Sequence, residues 1–559
     1  MPQKSSFPNV PIDPRPFSEQ FLQRIWTHSC HNPQKPALIN AHNPSDWVSY
    51  RDLFVYSHSV ATFLRSIGFG HRDIALIAAP NCWEYMVVFG GVGSSGGALS
   101  GCSYLFTECM IIFLLQTPNF VDELQRQILD CGASVVFCAE SLLGKMKVAI
   151  KKCPKVKILI VIPENPEAMF ADKNVYSLAD VIRTEPKFEF SVKYDVTKDP
   201  ILIPYSSGTT GIPKGVLLTH RNISATIGAI DVVYNTNIFP KAGISGSISD
   251  ATFLLIMPFY HVYGNSVCLH GLVNGTTALV MKSFEPELFC STIQKYKIRM
   301  IKVVPPIMVF LAKSPVVDKY DLSSVRVITS GAAPMGTDLA LEVRKRLPHL
   351  KYISQGYGMS EASVASHFPH LSEELNAAAC GLLMPNMEQK IIDVKTGKEL
   401  TKPGERGEIV VRGPNIMLGY LNRPKETAAT IRNGWLHTGD IGYVDEQGLL
   451  YIVDRLKELI KVKGLQVPPA ELEDLLLSHP RIADAAVIGV KDEKAGELPK
   501  AFVVRKDESL TEKEVFDFVA ERVAHYKQLK GGIHFLQTIP RSAAGKILKI
   551  ELKERNPKL

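Results

Sequence analysis

A run of hydroxyl, glycine and lysine residues at 205–215, reading YSSGTTGIPKG, has the composition of a polyphosphate-binding loop. It follows an apolar, strand-like segment at 201–203 and precedes a helix-compatible stretch after His220. Its glycines let the backbone turn N–H groups inward, its hydroxyls add donors, and Lys214 adds a positive charge. The loop lacks the G-K-[ST] spacing of a Walker loop. The sequence therefore predicts ATP binding by a phosphate loop of another kind.

Five further segments downstream also combine glycine, hydroxyl or charged residues. They read SGAAP at 330–334, QGYGMSE at 355–361, WLHTGD at 435–440, DRLKELIK at 454–461 and PRSAAGK at 540–546. Together with the loop at 205–215 they resemble the motifs of the adenylate-forming superfamily. That superfamily includes acyl-CoA synthetases, aryl-CoA ligases, beetle luciferases and peptide-synthetase adenylation domains. One such segment could be coincidence, but an ordered set along nearly the whole chain supports the resemblance.

The resemblance implies a nucleotide site. Asp440 would accept hydrogen bonds from the ribose hydroxyls, Arg455 would donate to the same sugar, and Tyr357 would lie on the adenine face. Glu361 would hold Mg²⁺ against the phosphates, because that ion prefers oxygen ligands. Ser360, where the family usually has threonine, keeps a hydroxyl for the α-phosphate. The full set predicted to bind ATP is Ser206, Ser207, Gly208, Thr209, Thr210, Gly211, Lys214, Gly331, Ala332, Ala333, Gln355, Gly356, Tyr357, Gly358, Ser360, Asp440 and Arg455.

The chemistry of carboxylate activation explains why a mobile lysine is expected. A carboxylate becomes a good acyl donor once its oxygen leaves as part of AMP, and bringing it to the α-phosphate joins two anions. The resemblance places the ammonium of Lys546 between them as a catalytic group. It also implies that a small C-terminal domain rotates about Lys457. That rotation would bring catalytic Lys461 to the acyl-AMP, with Lys463 and Gly464 binding coenzyme A.

Three further residues are assigned to the acid. His261, in MPFYHVYG at 257–264, would border the acyl pocket as a third catalytic residue, and a hydrogen-bonded core histidine is the alternative. Tyr263 and Gln466 would line the substrate pocket. The tyrosine at 263 and the run 313–330 look most like 4-coumarate:CoA ligases. The expected acid is therefore aryl, of hydroxycinnamate type, or a medium-chain fatty acid.

The predicted function is an ATP-dependent acid–CoA ligase that uses ATP, Mg²⁺ and coenzyme A. Two alternatives lie within the same superfamily: luciferase-like oxidation of the adenylate, and a peptide-synthetase module. No carrier domain follows Leu559, which counts against the module. A third alternative is a catalytically silent nucleotide-binding or scaffold protein, against which stands the presence of Lys214, Glu361 and Lys546.

The elements that must position these residues follow an α/β rhythm. Strand-like runs at 74–79, 135–138, 158–162, 253–257, 300–304 and 325–329 alternate with amphipathic stretches. Short glycine-flanked strands follow at 407–413 and 448–453. With the resemblance, this predicts an N-terminal AMP-binding domain at 1–456, made of two α/β subdomains and a small β-barrel. A mobile α+β domain is expected at 457–559, with the hinge at Lys457.

Bulk properties exclude several other classes. The 559 residues carry a net charge of +7 spread along the chain, so no basic block predicts a nucleic-acid partner. No apolar run reaches the roughly 20 residues that span a bilayer, and the proline-rich start is unlike a secretory signal. The final Pro557, Lys558 and Leu559 are similar to a serine-lysine-leucine address. They predict binding to a peroxisomal import receptor, with the cytoplasm as the alternative location.

Two segments need a separate interpretation. The G-x-G-x-x-G spelling at 91–96 is rejected as a dinucleotide site, because the residues before it have helical spacing and a close helix–sheet contact explains the small side chains. Residues 108–121, with the apolar run MIIFLL, interrupt the family pattern. They are interpreted as a packed loop, an interface, or translated sequence absent from the main product. We expect a chain lacking them to fold and remain active.

Overall fold

The computed structural model describes residues 2–104, 120–189, 192–206, 213–243, 248–372, 374–456, 458–462, 465–492, 495–541 and 545–554. These residues form six β-sheets flanked by helices. The predicted α/β multidomain class is confirmed. Most of the unusual segment at 108–121 lies outside the described residues, so its interpretation stays a prediction.

The first α/β unit is built on a nine-stranded sheet whose middle strands run parallel. Strand Ile158–Ile162 is buried along its whole length, as expected where helices cover both faces. In sheet order the strands are Tyr205–Ser206, Lys214–Thr219, Pro200–Leu202, Ala98–Cys102, Ile74–Ala78, Val135–Ala139, Ile158–Ile162 and Val175–Ser177, and Gly419–Tyr420 pairs with Lys214–Thr219. The helices of this unit are Phe17–His31, Tyr50–Ser66, Trp83–Ser94, Phe120–Cys131, Leu143–Ile150 and Leu178–Val181.

The G-x-G spelling that begins at Gly91 lies at the end of helix Trp83–Ser94, which agrees with its rejection as a dinucleotide site. An added Cβ at Gly91 would lie 2.5 Å from Val60 Cγ1 of the neighbouring helix. One at Gly93 would lie 3.3 Å from Ile201 Cδ1 of the sheet. The glycines therefore permit close approach of a helix as well as of the sheet, whereas the sequence predicted the sheet contact alone.

The second unit combines a four-stranded sheet with a separate three-stranded parallel sheet. The four-stranded sheet has the order Thr252–Leu255, Thr277–Val280, Pro36–Asn40 and Trp47–Ser49; the parallel sheet has the order Met300–Val303, Val327–Ser330 and Tyr352–Gln355. Its helices are His220–Val233, Phe239–Ala242, Val262–Val273, Pro286–Tyr296, Pro305–Lys313 and Thr337–Arg346. Helix His220–Val233 begins with a capping box, in which Asn222 N donates to Thr219 Oγ1 at 3.2 Å. It continues into a π-helical turn at Tyr234–Ile238.

A seven-stranded antiparallel sheet forms the third part. Its strands are Gln3–Lys4, Glu388–Ile392, Gly407–Arg412, Trp435–Val444 and Ile431–Arg432 in order, with Glu399–Leu400 and Leu450–Arg455 paired at its sides. Helix Pro424–Thr430 and the two-stranded pair His367–Phe368 and Leu382–Leu383 accompany it. Single 3₁₀ turns occur at Glu140–Leu142, Ile248–Asp250, Pro315–Lys319, Ser360–Ala362 and His525–Lys527.

The last part of the chain has its own sheet and its own apolar core, formed by residues after 459. The strands are Leu465–Val467, Ile460–Val462, Gly496–Arg505 and Ile482–Asp492 in order, with Ile533–Phe535 paired to Gly496–Arg505. Its helices are Pro469–Leu477, Glu512–Ala520 and Lys549–Glu554. Lys457 lies outside the described residues, and the hinge there stays a prediction. None of the helices in the described ranges is long and apolar enough to cross a membrane.

Candidate active site

Asp440 and Arg455 face each other on two antiparallel strands of the third part. Asp440 is 4 % exposed, and its Oδ1 lies 3.3 Å from Arg455 Nε. The Tyr357 hydroxyl donates to Asp440 Oδ2 at 2.6 Å. Burial raises the pKa of Asp440, while the Arg455 charge and the Tyr357 hydrogen bond act in the opposite direction. Three residues predicted to hold the nucleoside therefore meet in one buried group.

Glu408 supports the turn that presents Asp440. Its Oε2 lies 2.9 Å from His437 Nδ1, and its Oε1 accepts from Gly439 N at 3.2 Å. Gly439 has a φ of 71°, a conformation that favours glycine. Glu408 was given no role from the sequence, since a structural salt bridge explained it equally well. The signal for it was a glycine-glutamate pair opening an apolar strand, which many structural positions share.

A constrained turn follows Tyr357. An added Cβ at Gly358 would lie 2.0 Å from Val364 O, so glycine is required there. Ser363 and Val364 have φ values of 53° and 113°, and such values are rare for residues with a side chain. Gly356 is also confined, because its added Cβ would lie 3.0 Å from Pro369 Cδ. Strain of this kind persists where surrounding contacts hold the backbone.

The same turn carries Ser360 and Glu361, which are 8 % and 7 % exposed. Glu361 Oε1 accepts hydrogen bonds from the Tyr420 hydroxyl at 2.8 Å and from Ser206 Oγ at 3.2 Å. Lys214 Nζ lies 5.2 Å from the centre of the Tyr420 ring. The structure thus brings predicted phosphate and metal residues together around Tyr420. This tyrosine was not predicted from the sequence, because it lies far along the chain in a short strand paired with Lys214–Thr219.

A single carboxylate beside hydroxyls is a suitable protein ligand for Mg²⁺ that is also bound by phosphates. Glu361 is nearly buried and has no salt-bridge partner among the described residues. In the same part of the chain, no group of three or more His, Cys, Asp or Glu residues is arranged to hold a metal by protein ligands alone. Glu361 therefore fits a Mg²⁺ ion shared with a nucleotide, not one held by the protein alone.

The tip of the predicted phosphate loop lies outside the described residues. Its two ends are described, because Ser206 pairs with Lys214 in an antiparallel register. The loop thus closes between neighbouring strand ends, beside Glu361. The predicted roles of Ser207, Gly208, Thr209, Thr210 and Gly211 stay predictions.

The predicted adenine-side loop follows the middle strand of the parallel sheet. Ala332 has a φ of 69°, whereas Gly331 has an ordinary backbone conformation. Gln355 Oε1 accepts from Met335 N at 3.1 Å, and its Nε2 donates to the Ala377 carbonyl oxygen at 2.5 Å. The hydrogen bonds of the Gln355 side chain therefore hold the loop in place. Gly331 and Ala333 sit on that loop as the sequence predicted.

The ammonium of Lys546 reaches the same group of residues. Burial lowers its pKa to about 8, and the positive charge of Arg455 acts in the same direction. The carboxylates of Glu458 and Asp440 are near enough to oppose that shift. Lys546 therefore lies beside the predicted ribose site and not on a solvent-exposed tail.

Contacts of the preceding residue show how the lysine loop is held. Gly545 has a φ of 79°, and its added Cβ would lie 3.2 Å from Pro306 Cδ and 3.6 Å from Val304 Cγ2. Pro306 belongs to helix Pro305–Lys313 of the second unit. The last part of the chain is thus docked on the second unit, in an arrangement that presents Lys546 to the nucleotide site.

His261 is the N-terminal cap of helix Val262–Val273. Its Nδ1 accepts from Tyr263 N at 3.2 Å, so the neutral ring carries its proton on Nε2. Burial lowers the pKa of His261 to about 4. At neutral pH this histidine is therefore an uncharged donor, better suited to placing an oxygen than to accepting a proton. Burial also raises the pKa of Tyr263.

Residues predicted for the second half-reaction lie elsewhere in this arrangement. Lys461 is on an exposed strand position, and its backbone pairs with Gln466. The Lys461 amide donates to Glu497 Oε2 at 2.8 Å, within the last part of the chain. Lys457, Lys463 and Gly464 lie outside the described residues. Their predicted roles, like those of Lys461 and Gln466, stay predictions.

Comparison with known families identifies the class to which this fold and site belong. The model of the AMP-binding enzyme family matches residues 26–421, and that of the AMP-binding enzyme C-terminal domain matches residues 471–546. The chain therefore belongs to the AMP-binding enzyme family, and the predicted resemblance is confirmed.

The chain is also similar to individual proteins of known sequence or structure. A 4-coumarate:CoA ligase from Petunia hybrida is 40 % identical over 537 residues, which cover 93 % of this chain and 91 % of the relative. The structure of o-succinylbenzoate CoA synthetase from Bacillus subtilis, bound to its acyl-adenylate intermediate, matches with a TM-score of 0.76 and 26 % identity. That match covers 96 % of this chain and 98 % of the other. ATP-bound MatB from Rhodopseudomonas palustris, at 24 % identity and a TM-score of 0.81, covers 97 % and 99 % and supports the fold.

Proposed function

We propose that this enzyme joins a carboxylic acid to coenzyme A at the expense of ATP. A carboxylate oxygen attacks the α-phosphorus, pyrophosphate leaves, and an acyl-AMP forms. The thiol of coenzyme A then attacks the acyl carbon, and AMP leaves. The observation that carries this proposal is that Lys546, although distant in sequence, is near enough to Arg455, Glu458 and Asp440 for their charges to act on its ammonium.

The first step requires two anions to approach each other, and fixed positive charge offsets their repulsion. Lys546 supplies an ammonium at that point, and Lys214 supplies another beside the phosphate loop. Asp440 would accept from the ribose hydroxyls, with Arg455 held next to it. Because Asp440 is buried and already paired with Arg455, little reorganisation of this pair is needed when ATP binds.

Mg²⁺ is the metal that suits this site. Glu361 would hold it together with phosphate oxygens, and its hydrogen bonds from Tyr420 and Ser206 fix the orientation of the carboxylate. When bound, the ion neutralises phosphate charge and makes pyrophosphate a better leaving group. Ser360 lies one residue away, with a hydroxyl for the α-phosphate.

The acid would lie beside His261 and Tyr263. An uncharged His261 with its proton on Nε2 can donate to the carboxylate and fix its direction of attack. The second step would follow rotation of the C-terminal domain about Lys457, which withdraws Lys546 and brings Lys461, with Lys463 and Gly464 for coenzyme A. The large share of the chain that aligns with 4-coumarate:CoA ligases supports an aryl acid of hydroxycinnamate type, with medium-chain fatty acids as the second choice.

The carboxyl end supports a proposal about location. Pro557, Lys558 and Leu559 share the lysine-leucine ending of a peroxisomal address, with proline in place of serine. A fluorescent fusion with this end left free should collect in peroxisomes and become cytosolic when Leu559 is removed. A cytosolic signal from the intact fusion would refute the proposal.

One assay tests the reaction. The purified protein is incubated with ATP, Mg²⁺ and a panel of acids, and AMP and thioester are measured with and without coenzyme A. We expect acid-dependent AMP release and a thioester product. Adenylate without thioester would exclude the ligase and leave a luciferase-like enzyme.

The Lys546→Ala variant tests whether Lys546 acts in acyl-AMP formation and not in thioester formation. It should lose acyl-AMP formation and still make thioester from supplied acyl-AMP, because Lys546 is assigned to the first step. Lys553→Ala, at an exposed position of the last helix, is a matched control that should behave like the unaltered chain.

A further inference from the structure

Three polar residues form a row across the parallel sheet of the second unit. Lys302 pairs with Thr329, and Thr329 pairs with Ser354, on three neighbouring strands. Paired residues of adjacent strands point to the same face of a sheet. Ile301 and Ile328, one position earlier, pack in the apolar core on the opposite face. The row therefore places an ammonium and two hydroxyls on the face of the sheet opposite to Ile301 and Ile328.

Lys302 has an unusual environment. Its Nζ lies 3.6 Å from the centre of the Phe253 ring and 5.4 Å from that of Tyr234. It makes no hydrogen bond or ion pair with any residue in the described ranges. Nε2 of the nearby His270 lies 2.8 Å from Asp231 Oδ1, so the Asp231 carboxylate already has a partner. Burial lowers the pKa of Lys302 to about 7.

A cavity adjoins this ammonium. It is small, about 10 Å³, with room for roughly one water-sized group such as a single oxygen, and lies between the strand Thr252–Leu255, the helix Val262–Val273 and Lys302. Gly264 and Val267 form the helical side of its wall. The rings around Lys302 stabilise a cation but cannot accept a full counter-charge.

Ser354 is a second member of the row whose polar atom is unsatisfied among the described residues. It is 5 % exposed, and its Oγ has no hydrogen-bond partner in the described part of the chain. Buried hydroxyls are nearly always paired, because leaving one unpaired is costly. Two members of the row, Lys302 and Ser354, thus have capacity for an oxygen ligand. The middle member, Thr329, is hydrogen-bonded to Tyr263.

Tyr263 connects the row to the proposed reaction site. An added Cβ at Gly331, in the adenine-side loop, would lie 3.6 Å from Tyr263 Cε1. Tyr263 therefore stands between that loop and the polar row. An acid whose carboxylate is presented to Lys546 beside His261 would extend its other end along Tyr263 toward Lys302.

We propose that Lys302 is a specificity-determining residue that binds an anionic oxygen group at the far end of the acid, so that the preferred substrate carries a second carboxylate. This rests on the proposed acid–CoA ligase function. A hydrocarbon tail would leave the ammonium unpaired in an apolar cavity, whereas a distal carboxylate supplies the missing counter-charge and an acceptor for Ser354. The neighbouring Phe253 and Tyr234 rings flank the ammonium.

The test compares acids that differ at the far end alone. Octanoate is matched with octanedioate, and cinnamate with 4-hydroxycinnamate and 4-carboxycinnamate. The kcat/KM for AMP release is measured for the unaltered chain, Lys302→Met and Lys302→Gln. Methionine has similar length without the charge, so that variant should fold. Lys295→Met is the control, since Lys295 is exposed and lies 5.2 Å from the ring of Tyr296.

The kcat/KM of the unaltered chain should be about 100-fold higher or more for each acid with a second carboxylate than for its matched plain acid. A ratio of this size is typical of sites that pair a polar group of the substrate. Lys302→Met should remove that preference, mainly by raising KM for the acids with a second carboxylate. The kcat/KM for the plain acids should be unchanged or higher. Lys302→Gln should retain part of the preference, and Lys295→Met all of it. A uniform loss with every acid, or no preference in the unaltered chain, would overturn the proposal.

Binding measured by calorimetry separates this proposal from the reaction itself. Octanedioate should bind the unaltered chain more tightly than octanoate, and Lys302→Met should abolish the difference. Discrimination in binding without any AMP release would refute the ligase function alone. AMP release with equal binding of both acids would refute the role of Lys302 alone.

Discussion

The ammonium of Lys546 lies where burial works against its charge, and this should appear in the pH dependence of the first step. With a pKa of about 8, the group is mostly protonated at neutral pH and loses its proton as the pH rises further. Because the proposed role needs the charged form, kcat/KM for acyl-AMP formation should fall above about pH 8. A pH profile of pyrophosphate exchange measures this.

The matched variant for that profile is Lys546→Arg. Arginine stays protonated across the accessible range, so the alkaline fall should disappear even if the overall rate is lower. A profile that falls in the same way with arginine would assign the fall to another group. His261 should contribute no change between pH 5 and 8, since its pKa of about 4 leaves it neutral there.

Glu361 is predicted to control the dependence on Mg²⁺. Glu361→Gln keeps the size of the side chain and removes its charge, so the Mg²⁺ concentration for half-maximal acyl-AMP formation should rise at least about 10-fold. The maximal rate should fall by roughly 100-fold or more, as for loss of other transition-state charge contacts. A Mg²⁺ titration of the initial rate measures both.

Tyr420→Phe provides the comparison. It removes one hydrogen bond to Glu361 and leaves the carboxylate in place. Its effect should be smaller than that of Glu361→Gln and confined mainly to the Mg²⁺ requirement. Equal Mg²⁺ dependence in the unaltered chain and Glu361→Gln would contradict the assignment of the metal.

At the scale of elements, the turn after Tyr357 should tolerate no added side chain at Gly358. A methyl group there would lie 2.0 Å from Val364 O, a contact that forces the backbone to move. Gly358→Ala should therefore displace Glu361 and Tyr357 together and lower acyl-AMP formation by about 100-fold or more, as small misplacements of catalytic groups do. Initial rates and melting temperature measure the effect.

Gly144→Ala is the control for that substitution. Gly144 lies in helix Leu143–Ile150 with nothing within 4 Å of an added Cβ. Alanine there should leave activity unchanged and stabilise the chain by about 0.5–1 kcal/mol. A Gly358→Ala chain with normal rates would show that the turn can relax without cost.

Most regular elements were predictable from hydrophobic runs. The run at 158–162 matches strand Ile158–Ile162, and the one at 74–79 extends one residue past strand Ile74–Ala78. Such runs identify buried strands because a strand covered on both faces has few polar positions. Strand order was not predictable, because it depends on pairing between distant segments.

The site was predictable where one segment supplies both chemistry and position. Asp440 and Glu361 stand in dense motifs, and each has other predicted site residues as hydrogen-bond or charge partners. Tyr420 was not predicted, since it acts through a partner that is remote in sequence. Glu408 was left without a role because a structural salt bridge explained it equally well, and the structure pairs it with His437. The polar row was invisible because Lys302 and Ser354 are aligned by strand register alone.

At the scale of the whole molecule, the last part of the chain is docked so that Lys546 reaches the nucleotide site. An added Cβ at Gly336 would lie 3.2 Å from Asp474 Oδ1, across this contact. A disulfide between Gly336→Cys and Asp474→Cys should therefore lock the arrangement. The oxidised double variant should form acyl-AMP and fail to make thioester, as measured by product analysis.

Reduction should restore thioester formation, and each single cysteine variant should be active under oxidising conditions. Replacing the exposed Cys30 with serine in all variants removes one competing thiol. Thioester formation by the locked chain would refute the proposed rotation about Lys457. A loss of both steps would instead show that the contact must open for ATP to bind.

Asp440, Glu361 and Lys546 come from separate parts of the fold: Asp440 lies on a strand of the third part, Glu361 on a 3₁₀ turn, and Lys546 in the last part of the chain. A nucleotide bound between these parts would stabilise the assembled form by RT ln(1 + [L]/Kd). Protection from heat or protease would then report occupancy before any product accumulates. Unknown acids could be ranked by how much further they protect the ATP-loaded chain, which makes a search for the natural substrate possible without a chemical label.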